Sequence, residues 1–230
     1  MIKSINYNFF FQEVKYYILR AFKVIRIKGD YKNMKILVAT RNRHKLEEIR
    51  NIFQITGLEL VAADDIDGLP EDVEEDADTF EGNALKKARE LCQASGLWTM
   101  ADDSGLEVTA LNLAPGVYSA RYAGDSCDHA ANNKKLLLAL SGVEDRSARF
   151  RCVIALCSPD GGEWTVDGAC AGTILEASRG INGFGYDPLF VPAGYDQSFA
   201  ELESAVKNSL SHRGNALKKA AHEWGGLLCK

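Results

Sequence analysis

The 230-residue sequence has six cysteines but no C-x-x-C pair. Cys92, Cys127, Cys152, Cys157, Cys170 and Cys229 follow no regular spacing, so they read as thiols of a reducing compartment rather than a disulfide framework. No apolar run approaches the roughly 18–20 residues of a membrane span. No N-terminal stretch combines the charge, apolar core and small-residue cleavage site of a secretory signal. These absences predict a soluble cytoplasmic protein with no membrane partner. A positive excess is also missing: the net charge of −5 argues against a nucleic-acid partner and says nothing against a nucleotide pocket. There is no internal repeat and no low-complexity linker, so one folded unit is expected. What is present, 46% hydrophobic and 26% charged residues, is enough for a sizeable core.

Residues 1–33 differ from the rest. Seven Lys/Arg against Glu13 and Asp30 give them +5, which leaves −10 for the remainder of a chain of net −5. Phe9, Phe10 and Phe11 with Tyr16, Tyr17 and Ile18 suit an amphipathic helix for a membrane surface or a partner. The plainer reading makes 1–33 an extension outside the fold, because Met34 begins a well-formed domain over 34–230.

From Met34 the pattern is α/β. The run 35–40 reads as a buried strand, and 43–54 as a helix with Leu46, Ile49 and Phe53 on one face. Strands follow at 58–62 and 97–101, with an acidic loop at 64–78 and a helix at 79–94 between them. A helix at 126–140 precedes a hairpin of 148–158 and 163–174, turned at Pro159-Asp160-Gly161-Gly162. A last helix at 214–224 has Leu217, Ala220, Ala221 and Trp224 on one face.

Five constellations offer chemistry. Thr40, Arg41, Asn42, Arg43, His44 and Lys45 join a strand to a helix N-terminus, which suits polyphosphate or, equally, an ordinary cap; the glycines of a P-loop are missing. The acidic run ahead of Asn83 and Lys87 is either a solvated face or the source of a glutamate ligand for Mg²⁺. Asp102 and Asp103 reach one ion only if their strand ends there, as Ser104-Gly105 suggests; the alternative is a self-capping Asp-rich turn. Gly183-Phe184-Gly185-Tyr186-Asp187-Pro188 offers a stacking ring and, with Asp187 biased to an extended backbone, a carboxylate for a ring edge, or else a structural turn. Lys207, with Ser211-His212-Arg213 just ahead of the last helix, gathers donors at a helix start or forms a surface cap.

The joint order of these segments resembles the inosine triphosphate pyrophosphatases, which hydrolyse non-standard purine nucleoside triphosphates. The matching motifs are T-x-N-x-x-K (40–45), F-x-x-N-A-x-x-K-A (80–88), A-D-D-S-G-L (101–106), A-P-G-V-Y-S-A-R-Y (114–122), G-F-G-Y-D-P-L-F (183–190) and K-x-x-x-S-H-R-G-x-A-L (207–217). They span about 34–225. Arg41 departs from the family pattern, which has a small residue there.

The resemblance implies an α/β fold with a long twisted mixed sheet flanked by helices, two lobes with a cleft between them, and a homodimer. It implies attack at the α-phosphorus with Mg²⁺, giving a monophosphate and pyrophosphate. Asp103 becomes the base. Glu75, or less favourably Glu74, holds the metal with Asp103 or Asp102. Residues 40–45 with Lys87, Ser104 and Lys207 face the phosphates; Phe184, Gly185, Tyr186, Asp187, His212 and Arg213 face the purine. Donors from His212 and Arg213 match a 6-oxo group and mismatch the 6-amino group of adenine. Two competing readings are a Maf-like pyrophosphatase of other base preference and a nucleotide-binding protein without turnover.

Overall fold

The computed structural model describes residues 34–53 and 58–228; the amphipathic segment expected within 1–33 and Cys229 lie outside them. Strand β1, Lys35–Val38, has three of its four residues buried, as its unbroken apolar run predicts. It lies between two parallel neighbours, β2 (Glu59–Ala62) and β3 (Trp98–Val108). Strands β4 (Ser147–Cys157), β5 (Glu163–Ile174) and β6 (Phe190–Pro192) continue the sheet antiparallel, in the order β2-β1-β3-β4-β5-β6. The expected α/β class, mixed sheet and hairpin are therefore present.

Five α-helices accompany the sheet among the described residues: α1 (Arg43–Phe53), α2 (Phe80–Ser95), α3 (His129–Ala139), α4 (Ser204–Leu210) and α5 (His212–Leu228). Around the parallel strands, helix α5 covers one sheet face, packing Leu217, Ala220 and Trp224 against Met100, Ile154 and Val166. Helix α2 covers the other, packing Phe80, Ala84 and Ala88 against Leu37, Ala101 and Val153. A separate cluster of Leu106, Leu136, Phe150, Phe190 and Phe199 forms the second lobe.

Local chemistry fixes the helix ends. The Thr79 hydroxyl accepts from Gly82 N at the start of α2, and left-handed Gly96 (φ 68°) ends it. Asp128 caps α3 through the amides of Ala130 and Ala131.

Four expectations are corrected. Strand β3 does not stop at Ala101 but runs on to Val108, paired throughout with β4. Helix α5 starts at His212, so His212 and Arg213 are its first turn, with the Ser211 hydroxyl accepting from Gly214 N. Lys207 sits on α4, whose seven residues are too short for a periodic signal. Asp187 opens a 3-10 turn, Asp187–Leu189, instead of lying extended.

Candidate active site

Because β3 continues, Asp102 and Asp103 point to opposite sheet faces. Asp102 pairs with Ile154 on the α5 side and Asp103 with Val153 on the α2 side. Both carboxylates still line one cleft, of about 340 Å³, since β1 pairs no further than Val38↔Met100. Beyond that point β1 no longer flanks β3, Lys87 Nζ donates to the Asp102 carbonyl oxygen at 2.7 Å, and from Leu106 onward Ser119 and Pro115 take up the edge. Gly105 makes a close approach, not the turn it suggested. A β-carbon there would collide with the Gly116 carbonyl and the Ser119 hydroxyl.

On the α2 side, Asn83 Nδ2 donates to Asp103 Oδ2 at 3.0 Å while Ser104 N donates to Oδ1 at 2.8 Å. Asn83 is fully buried, and its own Oδ1 accepts from Ala77 N at 2.9 Å, which ties the acidic loop to Asp103. Lys87 Nζ donates to Glu75 Oε1 at 2.7 Å. Arg121 Nη2 donates to the Glu75 carbonyl at 2.8 Å. Burial, reinforced by the negative charge of Glu75, lifts the Asp103 carboxyl above its ordinary value against the pull of Lys87. Burial works against the charge on Lys87, but Glu75, Asp103 and Asp102 outweigh it and hold the ammonium above its ordinary value.

On the α5 side, one oxygen of Asp102 collects two cations. Its Oδ2 lies 3.1 Å from Lys45 Nζ and accepts from Arg213 Nε at 3.2 Å and Nη2 at 3.1 Å. Burial alone raises its pKa, yet Lys45, Arg213 and Lys87 prevail and hold it well below the usual carboxylate range. Arg213 also donates from Nη1 to Glu48 Oε2 at 2.5 Å and from Nη2 to Ser104 Oγ at 2.9 Å. Glu48 Oε1 in turn stands 4.0 Å from Lys207 Nζ, which donates to Asp187 Oδ2 at 2.8 Å and lies 5.0 Å from the Phe184 ring centre. Asp187 Oδ2 also accepts from Phe184 N at 2.7 Å, and burial lifts its carboxyl despite Lys207. The His212 ring stacks on Phe150 at 4.8 Å, with Nδ1 buried and unpartnered. Burial, then Arg213 and Lys207, keep that imidazole well below its ordinary pKa and therefore neutral.

This layout invites comparison with known proteins, and the family model described as "Ham1 family" matches residues 36–223. The chain belongs to the Ham1 family. A Desulforamulus reducens protein named dITP/XTP pyrophosphatase is 51% identical over 189 residues, covering 81% of this chain and 94% of the relative. A Geobacter sulfurreducens protein of the same name is 51% identical over 185 residues, covering 80% and 92%. Among solved structures, the Staphylococcus aureus Ham1 protein superposes with a TM-score of 0.77 at 39% identity, covering 84% of this chain and 99% of that one.

In this Ham1-family chain, Thr40, Arg41, Asn42, Lys45, Lys87, Ser104, Phe184, Gly185, Tyr186, Asp187, Lys207, His212 and Arg213 all line the cleft with Glu75, Asp102 and Asp103. Arg43 and Glu74 do not; both are exposed. The side chain of His44 lies outside the described residues. Several lining groups are already engaged. Thr40 Oγ1 accepts from Asn42 N, and Asn42 Oδ1 from Lys45 N. Arg41 reaches Asp64 and the Pro70 carbonyl. Tyr186 OH donates to the Ser119 carbonyl, and the Gly185 carbonyl accepts from Asn133 Nδ2.

Sequence reasoning missed Glu48 and Arg121. The signal for Glu48 was its position three residues after Lys45 on the same helix face. Arg121 stood inside a matched motif without an assigned role.

Proposed function

We propose that this Ham1-family chain hydrolyses the non-standard purine nucleoside triphosphates ITP, dITP and XTP to the monophosphate and pyrophosphate. The observation that carries the reading is the pair Glu75 and Asp103 around Lys87 at one part of a cleft that also holds the ring of Phe184. The names of the similar proteins, dITP/XTP pyrophosphatases at about half identity, point the same way.

The carboxylates suit a hard divalent cation, assigned here as Mg²⁺. Glu75 and Asp103 are close enough for the charge of one to raise the pKa of the other. Each carboxylate has lone pairs beyond the hydrogen bonds described, and Mg²⁺ commonly takes only one or two carboxylates plus substrate phosphates. Glu75 and Asp103 would hold it; when bound, it supplies neutralising charge to the triphosphate.

In this mechanism Asp103, held in place by Asn83 Nδ2 and the Ser104 amide, accepts the proton of the attacking water. The oxygen of that water forms a bond to the α-phosphorus, the bond between the α-phosphorus and the bridging oxygen breaks, and pyrophosphate leaves with the electron pair. Lys45 and Lys87 place positive charge beside the phosphates. At the other end, Phe184 stacks on the purine and Arg213 Nη1, which can only donate, donates to a 6-oxo group beside the neutral His212 ring. Adenine presents a 6-amino donor to the same atom and leaves a buried mismatch, costing about 1–3 kcal/mol.

The same reading places the protein in the cytoplasm as a homodimer. No described helix is long and apolar enough to cross a membrane, and exposed Leu113 and Tyr118 supply apolar surface for a second copy.

Pyrophosphate release measured across ITP, dITP, XTP, ATP and GTP with Mg²⁺ tests the function. Preference for the first three supports it; preference for another base set sinks it in favour of a Maf-like reading. Asp103→Asn should abolish turnover while a non-hydrolysable ITP analogue still binds, and near-normal turnover in that variant removes Asp103 from the mechanism.

A further inference from the structure

Asp102 was a candidate metal ligand, but its surroundings describe another task. Its Oδ2 takes Lys45 Nζ from α1 and two Arg213 N–H groups from α5, all within 3.2 Å. Lys45 and Arg213 belong to different parts of the cleft: Lys45 to the strand-to-helix junction expected to face phosphates, Arg213 to the group around Glu48, Lys207 and Phe184. The candidate cation ligands Glu75 and Asp103 belong to the α2 side, whereas alternation along β3 sends the Asp102 side chain to the α5 side.

We propose that Asp102 is a positioning and specificity-determining residue that couples the fit of the purine at Arg213 to the placement of Lys45, and that it does not hold the cation. The proposal rests on the nucleotide pyrophosphatase reading above. The physical step is short. Arg213 has its Nε, Nη1 and Nη2 all engaged, with one Nη1 hydrogen left for a ligand. A base edge that accepts that hydrogen leaves the guanidinium where it is. An edge that opposes it with another donor displaces the guanidinium and strips two hydrogen bonds from a carboxylate that is almost fully buried. The remaining cation, Lys45, then satisfies that charge more strongly and is drawn from the phosphates. A wrong base thus slows the chemical end of the site as well as binding less well.

Lys45→Gln, Arg213→Lys and the double variant test the coupling, because the two residues share Asp102. The measured quantities are kcat/KM for ITP and ATP, and the affinity for a non-hydrolysable ITP analogue. The double variant should lose less than the product of the single losses by about fivefold or more. Losses that multiply overturn the proposal. Asp102→Asn should reduce the ITP-to-ATP ratio of kcat/KM by about tenfold, with the half-saturating Mg²⁺ concentration within about twofold of wild type. An unchanged ratio, or a tenfold shift in the Mg²⁺ requirement, overturns it. If Asp102→Asn does not fold, the Lys45–Arg213 cycle decides alone. Failure of the functional reading appears separately, as wild-type protein that releases no pyrophosphate from ITP; the analogue affinities still report the coupling in that case.

Discussion

Asn83 fastens Asp103 to the acidic loop. Its Nδ2 donates to Asp103 Oδ2 at 3.0 Å and its Oδ1 accepts from Ala77 N at 2.9 Å, with the whole residue buried. One amide therefore spans the proposed base and the loop that carries Glu75.

Asn83→Ala removes both hydrogen bonds at once. It leaves a buried carboxylate oxygen and the Ala77 amide without their partner, at a cost of about 1–3 kcal/mol per group. The expected outcome is a lower urea midpoint together with a fall in kcat that exceeds any change in KM. A variant with native stability and native kcat would show that Asp103 needs no such support.

His212 gives a pH dependence of definite sign. Burial, followed by Arg213 and Lys207, holds its folded-state pKa well below the ordinary 6.5. The unfolded chain takes up this proton near pH 6.5 and the folded chain does not. The stability linked to His212 is therefore present above pH 6.5 and is lost as pH falls from there toward the folded pKa. The slope is up to about 1.4 kcal/mol per pH unit. His212→Phe keeps a ring against Phe150 and removes the proton site. Urea midpoints should fall less between pH 7 and about 5.5 in this variant than in wild type. Equal falls would mean that folding leaves the His212 pKa unshifted.

The reach of sequence reasoning is clearest at β3. The residues Asp102-Asp103-Ser104-Gly105 stood out as chemistry, but Ser-Gly resembled a strand end. What keeps Gly105 in the strand is its pairing with Arg151 of β4, and what requires a glycine there is the Gly116 carbonyl and the Ser119 hydroxyl pressed against it, tertiary contacts with no local signature. Arg213 was legible as a donor, yet its partner Asp102 is 111 positions away, so its geometry was not. By contrast β1, α2 and the β4–β5 hairpin were readable because their apolar periods and turn residues are local. Helix α4 was missed because seven residues between polar stretches carry less than two turns of pattern.

Neighbouring glutamates of the acidic loop should behave differently. Glu75 lines the cleft and accepts from Lys87, whereas Glu74 is exposed outside it. Glu75→Gln removes one of two candidate cation ligands and the partner of Lys87. The Mg²⁺ concentration for half-maximal turnover should rise by about tenfold or more, and Glu74→Gln should leave it within about twofold. Chelation with EDTA should stop turnover and leave the far-ultraviolet circular dichroism unchanged. A shift in Glu74→Gln with none in Glu75→Gln would reverse the assignment.

Arg41 stands where the family pattern has a small residue, and its contacts define what the substitution does. Its Nη1 donates to Asp64 Oδ1 at 2.6 Å and its Nη2 to the Pro70 carbonyl at 2.9 Å. The guanidinium thus spends its charge on the far wall of the cleft. Both members of the ion pair are well exposed, with side chains 44% and 58% accessible, and exposed pairs contribute about 0–1 kcal/mol. Arg41→Gly should therefore change the urea-unfolding free energy by less than about 1 kcal/mol and the kcat/KM for ITP by less than about threefold. A loss of tenfold or more carried entirely in KM would place Arg41 on the triphosphate. A loss carried in kcat would instead make its hold on Pro70 a means of setting the acidic loop, and Glu75 with it, for the reaction.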